Sequence, residues 1–356
     1  MMTPYVVADL DVIENNIKTM VTSLEKYHIK HRPHIKAHKS VYFANKQLEL
    51  GACGITCAKV TEAQVFVENG FKDILLAYPI VGDEKLNLLG ELMNKANITT
   101  IVNDKKHVYD LSKLSSKIKK IISVLIEIDG GINRGGLNPG KDTIDFYHKV
   151  KNIDGVKING FLYYGGTIYR EETLEDIKNK AKEDSSILVE TENILKDNNI
   201  TVLSSGSSPS SRFPQQLEGI TESRAGNYIF NDVNALKVGL CNVDDCALRI
   251  KTTVISTPCK GSAIIDAGSK TLTSDLSKFK KGFGYVVEYP EIEIYNLNEE
   301  HGFLKFSPGI DLKIGQILSI IPNHACVISN LCDEIFGINK KGEKIRIKID
   351  ARGKNK

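Results

Sequence analysis

The chain has 356 residues, 47 basic against 44 acidic, and a formal charge of +3. So balanced a charge creates no strong global field, which sets aside nucleic acid and anionic membrane surfaces and leaves small molecules as the expected partners. With 41% hydrophobic residues and no run approaching the roughly 20 apolar residues of a membrane-spanning helix, it reads as a soluble chain long enough for two domains.

The opening "MMTPYVVADLDVIENN" has no basic segment followed by an apolar block, so the cytoplasm is the expected compartment. The seven cysteines, odd in number and outside any paired zinc-ribbon spacing, are expected as free thiols. From residue 30 to about 232, short β-rich runs alternate with charge-patterned helical segments. The runs are 31–38, 54–59, 73–80, 99–104, 121–129, 158–166, 201–208 and 222–230, several ending in Gly, Asp or Pro. Eight successive βα units predict a TIM-type (β/α)8 barrel. Between two of them, "KVTEAQVFVENG" sets Val60, Ala63 and Val67 at helical spacing and stops on Gly70.

The first run, "HRPHIKAHKS", alternates Arg32, His34, Lys36 and His38 onto one face if it is a strand. Lys36 then lies near the C-terminal mouth of a barrel, where active sites occur. Burial and the flanking Arg32 and His34 disfavour its ammonium form, as Schiff-base chemistry requires. A solvated edge strand, or a metal pair of His34 and His38, fits the same spacing. After run five, "EIDGGINRGG" sets Arg134 between glycines. Run seven ends in "SSGSSPS" and run eight contains "RAGNYIF", where Gly226 and Asn227 can offer backbone N–H groups to an anion. Barrels bind phosphate after strands seven and eight. A Ser/Gly loop alone is usually only a loop; together with an activated lysine it points to pyridoxal phosphate (PLP).

Beyond residue 245 the β-rich runs lose the helical periodicity between them, which predicts a second, all-β domain; the expected division is 1–240 and 241–356. There "PNHAC" places His324 and Cys326 two apart at the end of a β run, so both side chains leave one face and can grip one cation with open positions remaining. A buried cysteine beside a satisfied histidine is the other reading.

Taken in order, "TPYVVADLDVIENNI", "RPHIKAHKS", "EIDGGINRGG", "SSGSSPS", "RAGNYIFND", "DAGSKTLTSD", "EEHGF" and "PNHACVISNL" resemble the alanine-racemase-type PLP enzymes of fold type III, and within them the D-threonine aldolase and D-serine dehydratase family. The resemblance implies a Schiff base between Lys36 and PLP, Arg134 on the phenolate oxygen, and Gly206, Ser207, Gly226 and Asn227 around the phosphate. It further implies a metal site at His324 and Cys326, and a homodimer in which the C-terminal domain completes the partner's active site. Relatives often carry a histidine after strand six; here "LYYGGTIY" has none, leaving Tyr164 or Tyr169 to face the cofactor ring or substrate and Thr167 nearby. Asp266, Lys270, Asp275 and His301 are weaker site candidates.

Within that family the aldolases resemble one another in a histidine–aspartate pair and the dehydratases in a histidine–cysteine pair. The resemblance therefore implies a metal-assisted lyase of the D-serine dehydratase kind, converting a D-β-hydroxy amino acid to an α-keto acid and ammonia. Thiolate with imidazole favours zinc over manganese or magnesium. Retro-aldol cleavage, as by a D-threonine aldolase, is the alternative; a racemase or a non-catalytic PLP-binding protein are further ones.

Overall fold

A computed structural model of the protein describes residues 1–356. Its chain groups into two compact units that are not cut at a single point. One comprises 19–36, 44–226 and 354–356, the other 1–18, 37–43 and 227–353.

After the first strand, β1 (Tyr5–Asp9), come the eight parallel strands of the first unit: β2 (Lys30–His31), β3 (Ile55–Cys57), β4 (Asp73–Leu76), β5 (Asn97–Val102), β6 (Ile122–Ile128), β7 (Val156–Tyr163), β8 (Val202–Ser205) and β9 (Glu222–Ser223). Each falls on or against one of the eight expected runs. The hydrogen-bonded order is β2-β9-β8-β7-β6-β5-β4-β3. A parallel bridge between His34 and Thr56, with Thr56 N–H donating to Pro33 O at 2.8 Å, joins the first strand's segment to β3 and closes the TIM-type barrel. In the register of β4 to β7, Leu75, Ile101, Leu125 and Leu162 form one buried apolar cluster, the branched interior layer such barrels carry. The helix Val60–Glu68 forms where its spacing predicts and buries Val60, Ala63 and Val67. Between β8 and β9 the connection contains only two 3-10 turns, Ser210–Arg212 and Pro214–Gln216.

The expected continuous strand 31–38 is not formed. Pro33 has no N–H to give to a ladder, and beyond the His34 bridge Ile35–Ala37 is a 3-10 turn. The four basic residues therefore share no face. Arg32 turns to two carboxylates, donating from Nε to Glu222 Oε2 at 2.6 Å and from Nη1 to Asp73 Oδ1 at 2.7 Å, so its charge is paired; Lys36 itself is exposed in the chain, where burial was expected. His38 is buried, and its Nδ1 accepts from Ser40 N–H at 3.1 Å.

The second unit is a nine-stranded sheet with β1 inside it, antiparallel to β10 (Leu248–Cys259) and parallel to a later strand. The remaining members are β11 (Ser262–Ile265), β12 (Tyr285–Val286), β13 (Glu293–Leu297), β14 (Gly302–Lys305), β15 (Ile317–Ile321), β16 (Glu334–Ile338) and β17 (Lys344–Lys348). β16 is the strand parallel to β1. The β-rich character matches the expectation, but the unit also contains helices, Ser269–Leu272 and Ala325–Leu331 among them. All seven cysteines are free thiols. No helix is long and apolar enough to cross a membrane.

His31 on β2 is fully buried, and burial, against a hydrogen bond with the Ser223 backbone, pulls its imidazole down to about 3. Between that value and its ordinary 6.5 the unfolded chain binds more protons than the folded one. The stabilisation from the neutral ring is therefore complete above 6.5 and lost as pH falls. In urea titrations at pH 7 and pH 5, His31→Gln should lose less stability on acidification than the parent, by up to about 1.4 kcal/mol per pH unit; equal losses would remove His31 as the cause.

Candidate active site

In the barrel unit three of the expected residues meet around one aromatic ring. Where Pro33 ends the strand, the Ile35–Ala37 turn presents Lys36, whose Nζ lies 5.7 Å from the centroid of the Tyr164 ring. The Arg134 guanidinium carbon lies 4.8 Å from the same centroid. Cations are drawn to an aromatic face by its quadrupole, so Tyr164, immediately after β7, gathers the two charges near one position at the C-terminal side of the strands. Arg134 reaches it because its loop is tied at the base: Asp129 N–H donates to Leu137 O and Leu137 N–H to Glu127 O, each at 2.9 Å. Tyr169 stands 6.5 Å from Tyr164 between ring centroids and is half exposed.

Two buried polar atoms on these loops, Asp129 Oδ1 and Thr167 Oγ1, have no hydrogen-bond partner in the protein. The loops are neighbours, for a Cβ at Gly131 would sit 3.4 Å from Thr167 Cγ2. Since buried polar groups are nearly always paired, unpaired ones here mark a place for a polar ligand. Directly after β8, Gly206 has φ +99°, and a Cβ there would come within 2.7 Å of Ser223 Oγ. A Cβ on Gly226 would lie 2.7 Å from His34 O. Only glycine leaves these backbones so close to their neighbours and bare toward a ligand. Ser207 is buried beside them, with its N–H donating to Ser210 Oγ at 2.9 Å and its hydroxyl 3.1 Å from the same oxygen.

Beneath this rim runs a polar network that the sequence reading did not single out. Arg224 donates from Nη1 to Ser204 Oγ at 2.6 Å and from Nη2 to Tyr163 O at 2.8 Å. Ser204 in turn donates to Glu222 Oε1 at 2.7 Å, and Glu222 is the carboxylate that holds Arg32. Complete burial pulls the Arg224 guanidinium down to about 10, with Glu222 and Glu127 opposing. Burial also pushes the Glu127 carboxyl up, against a hydrogen bond from Asn103 and the charges of Arg134 and Arg224. The available signal was a lone arginine within the small-residue run "ESRAGN".

The donor set fits PLP. Lys36 would supply an amine for the aldehyde, Arg134 a cation for the phenolate oxygen, Tyr164 a ring face, and the backbone around Gly206, Ser207 and Gly226 a close surface for the phosphate.

In the second unit His324 and Cys326 do not leave one face of a strand, because β15 ends at Ile321. His324 is instead the extended N-cap residue of Ala325–Leu331, and Cys326 lies in its first turn. The two side chains still meet. The His324 imidazole is raised to about 9, first by its hydrogen bond with Cys326 and further by Asp232 and Asp275, with burial opposing. His324 Nδ1 is 3.2 Å from Asp275 Oδ2, and Cys326 Sγ donates to Asn227 Oδ1 at 3.5 Å. The side chain of Asn227, whose backbone N–H is the group expected at an anion, thus serves the cysteine. Its amide donates to Asp232 Oδ2 at 2.7 Å, and the same carboxylate oxygen accepts Ala325 N–H at 3.1 Å. No group of three or more metal-ligating side chains occurs, so a cation here would be gripped by the His324–Cys326 pair with its other positions open. Of the weaker candidates only Asp275 joins this pair. Asp266 accepts from Thr3, Thr252 and Thr253, Lys270 pairs with Glu300, and His301 is exposed in a turn.

A lysine and an arginine gathered over one tyrosine ring, with close-packed glycines on the neighbouring loops, make the C-terminal side of the parallel barrel the candidate cofactor site. The family model for the alanine racemase N-terminal domain matches residues 8–233, and that for a putative serine dehydratase domain matches 247–338. The chain belongs to the alanine racemase N-terminal domain family. It is 30% identical to the D-threo-3-hydroxyaspartate dehydratase of Delftia sp., over 91% of this chain and 90% of that one. With the D-threonine aldolase of Arthrobacter sp. it shares 29% identity, over 99% and 93%. The solved D-threonine aldolase from Filomicrobium marinum superposes with a TM-score of 0.92 at 27% identity, covering 100% of this chain and 97% of that one. A cysteine-to-alanine variant of D-threo-3-hydroxyaspartate dehydratase is similar at TM-score 0.89 and 28% identity, over 98% and 97%, and is in a metal-free form. The chain is a PLP-dependent lyase.

Borohydride reduction followed by peptide mapping should fix PLP on Lys36, and Lys36→Ala should abolish that label. Arg134→Ala should retain the label while weakening PLP binding about 10- to 100-fold, the worth of one charge-assisted hydrogen bond. Label on another lysine would displace Lys36 from its role.

Proposed function

We propose that the enzyme dehydrates a D-configured β-hydroxy amino acid, of which D-serine is the simplest, with pyruvate and ammonia as the products from D-serine. The observation that carries this reading is the contact of His324 with Cys326 in a clamped segment. The resemblance to a dehydratase whose cysteine variant is in a metal-free form supports it.

PLP supplies an electron sink for the α-carbon, and a divalent cation on His324 and Cys326 supplies Lewis acidity to a β-hydroxyl that must leave. The chain's own groups do the rest. Lys36 Nζ would be the amine that holds the cofactor's carbonyl and, as a free amine, the base for the α-proton. Arg134 would hold the phenolate oxygen, and Tyr164 would offer its ring face. Imidazole with thiolate selects zinc over oxygen-seeking manganese or magnesium. We further propose a homodimer in which the β-rich unit of one protomer serves the barrel of its partner.

A retro-aldol reading is favoured by the likeness to two D-threonine aldolases and is opposed by Cys326. Incubation with D-serine, D-threonine and D-alanine separates the chemistries. Dehydration gives pyruvate from D-serine and 2-oxobutyrate from D-threonine, both lost with a chelator and regained with Zn²⁺. Glycine from D-threonine would replace this proposal with aldol cleavage, and L-alanine as sole product would end the lyase mechanism. Mixing Lys36→Ala with His324→Ala protomers should restore partial activity by complementation; its absence would refute shared sites.

A further inference from the structure

We propose that Asp275 is the positioning residue of the metal centre, holding the His324 imidazole so that Nε2 alone faces the cation; this rests on the His324–Cys326 metal reading above. His324 Nδ1 lies 3.2 Å from Asp275 Oδ2; a ring that donates its Nδ1 proton there and carries a cation would present the lone pair of Nε2 to it. Metal-bound histidines are commonly oriented in this way, by a carboxylate on the other ring nitrogen.

Three observations show that the fold is arranged to deliver this carboxylate. Thr273, two residues earlier, is β-branched yet has φ +68° and ψ 167°, a conformation such residues rarely adopt. Strain of that kind persists only where the surroundings impose it, and it collects at functional sites. The Thr273 hydroxyl accepts Asp275 N–H at 3.0 Å, which turns the chain at that point. Asn323, buried and directly before His324, donates from Nδ2 to Asp275 O at 2.9 Å and to Gly282 O at 2.8 Å. Thus the residue beside the histidine holds the backbone of the residue that orients it. Asn234 Nδ2 donates to Asn323 O at 2.8 Å, and Ser277 Oγ donates to Asn234 Oδ1 at 2.8 Å, closing the ring of contacts.

Stability alone does not account for this. Asp275 and His324 are both partly exposed, and an exposed ion pair contributes little to folding. Orientation of His324 is the return on the strained turn.

The test uses the full-length protein with Co²⁺ as the probe, since its sulfur-to-metal absorption reports Cys326, and with competition against a chelator for Zn²⁺. Asp275→Asn and Asp275→Ala should weaken both metals about 10- to 100-fold, keep the sulfur-to-cobalt band at saturation, and regain activity as metal is raised. Asp275→Glu should recover part of the affinity. If His324→Ala abolishes binding while Asp275→Asn binds like the parent, the positioning role is refuted and the metal site stands. If the parent binds no Co²⁺ through Cys326, the metal reading itself fails. If Asp275→Asn is as defective as His324→Ala, with a changed cobalt spectrum at saturation, Asp275 is a ligand and the proposal is overturned.

Discussion

The barrel depends on how its shortest strand is closed. β2 has only two residues, and the segment after it is joined by few backbone hydrogen bonds: Thr56 N–H to Pro33 O on one side, and Arg32 N–H to Ser223 O and His34 N–H to Ala225 O on the other. Pro33 can accept in this seam but not donate, and the pairing ends one residue later, at His34. The chain then enters the Ile35–Ala37 turn carrying Lys36. A continued regular strand would place Lys36 by its alternation and leave no turn to present it. The proline that interrupts the sheet is what makes the lysine a mouth residue.

The same seam holds Arg32 away from solvent. A largely buried guanidinium must be paired, and Glu222 and Asp73 pair it with bonds of 2.6 and 2.7 Å. Glu222 is also bonded by Ser204, which accepts from Arg224. The interior therefore changes from an apolar layer of Leu75, Ile101, Leu125 and Leu162 to linked charges. Such a network is costly when half satisfied, which gives Arg32, Ser204, Glu222 and Arg224 a joint structural reason to be present.

Much of the architecture was legible because it rests on local signals. Short β-rich runs, several of them closed by a turn-forming residue, announced the barrel strands, and the spacing of Val60, Ala63 and Val67 announced a helix that buries them. The convergence of Lys36, Arg134 and Tyr164 was legible only as separate motifs, since it depends on two loops meeting over one ring. Side-chain partners were the least legible. A basic stripe looks alike whether its arginine is free or paired with carboxylates far along the chain, and nothing local in "TLTSD" shows that its last residue reaches a histidine 49 positions later. The short helix after "PNH" was hidden by the apolar, β-like run before it.

That helix matters to the chemistry of the pair. On a strand, residues two apart point the same way whatever surrounds them. At a helix start they do so only if the N-cap is extended and the first turn is fixed. His324 has φ −140° and ψ 103°, and the N–H of Ala325, between the two ligands, is held by buried Asp232. Asp232 also orients Asn227 toward the Cys326 sulfur and accepts Ala235 N–H to cap the helix Val233–Lys237. One carboxylate thus fixes the backbone between the ligands and the amide against one of them. Its burial raises its own pKa, opposed by His324 and by the three hydrogen bonds it accepts. On the proposed metal reading, a two-ligand site would stay geometrically defined because the residues behind it are held by these hydrogen bonds, and the front of the cation would stay open for a substrate oxygen.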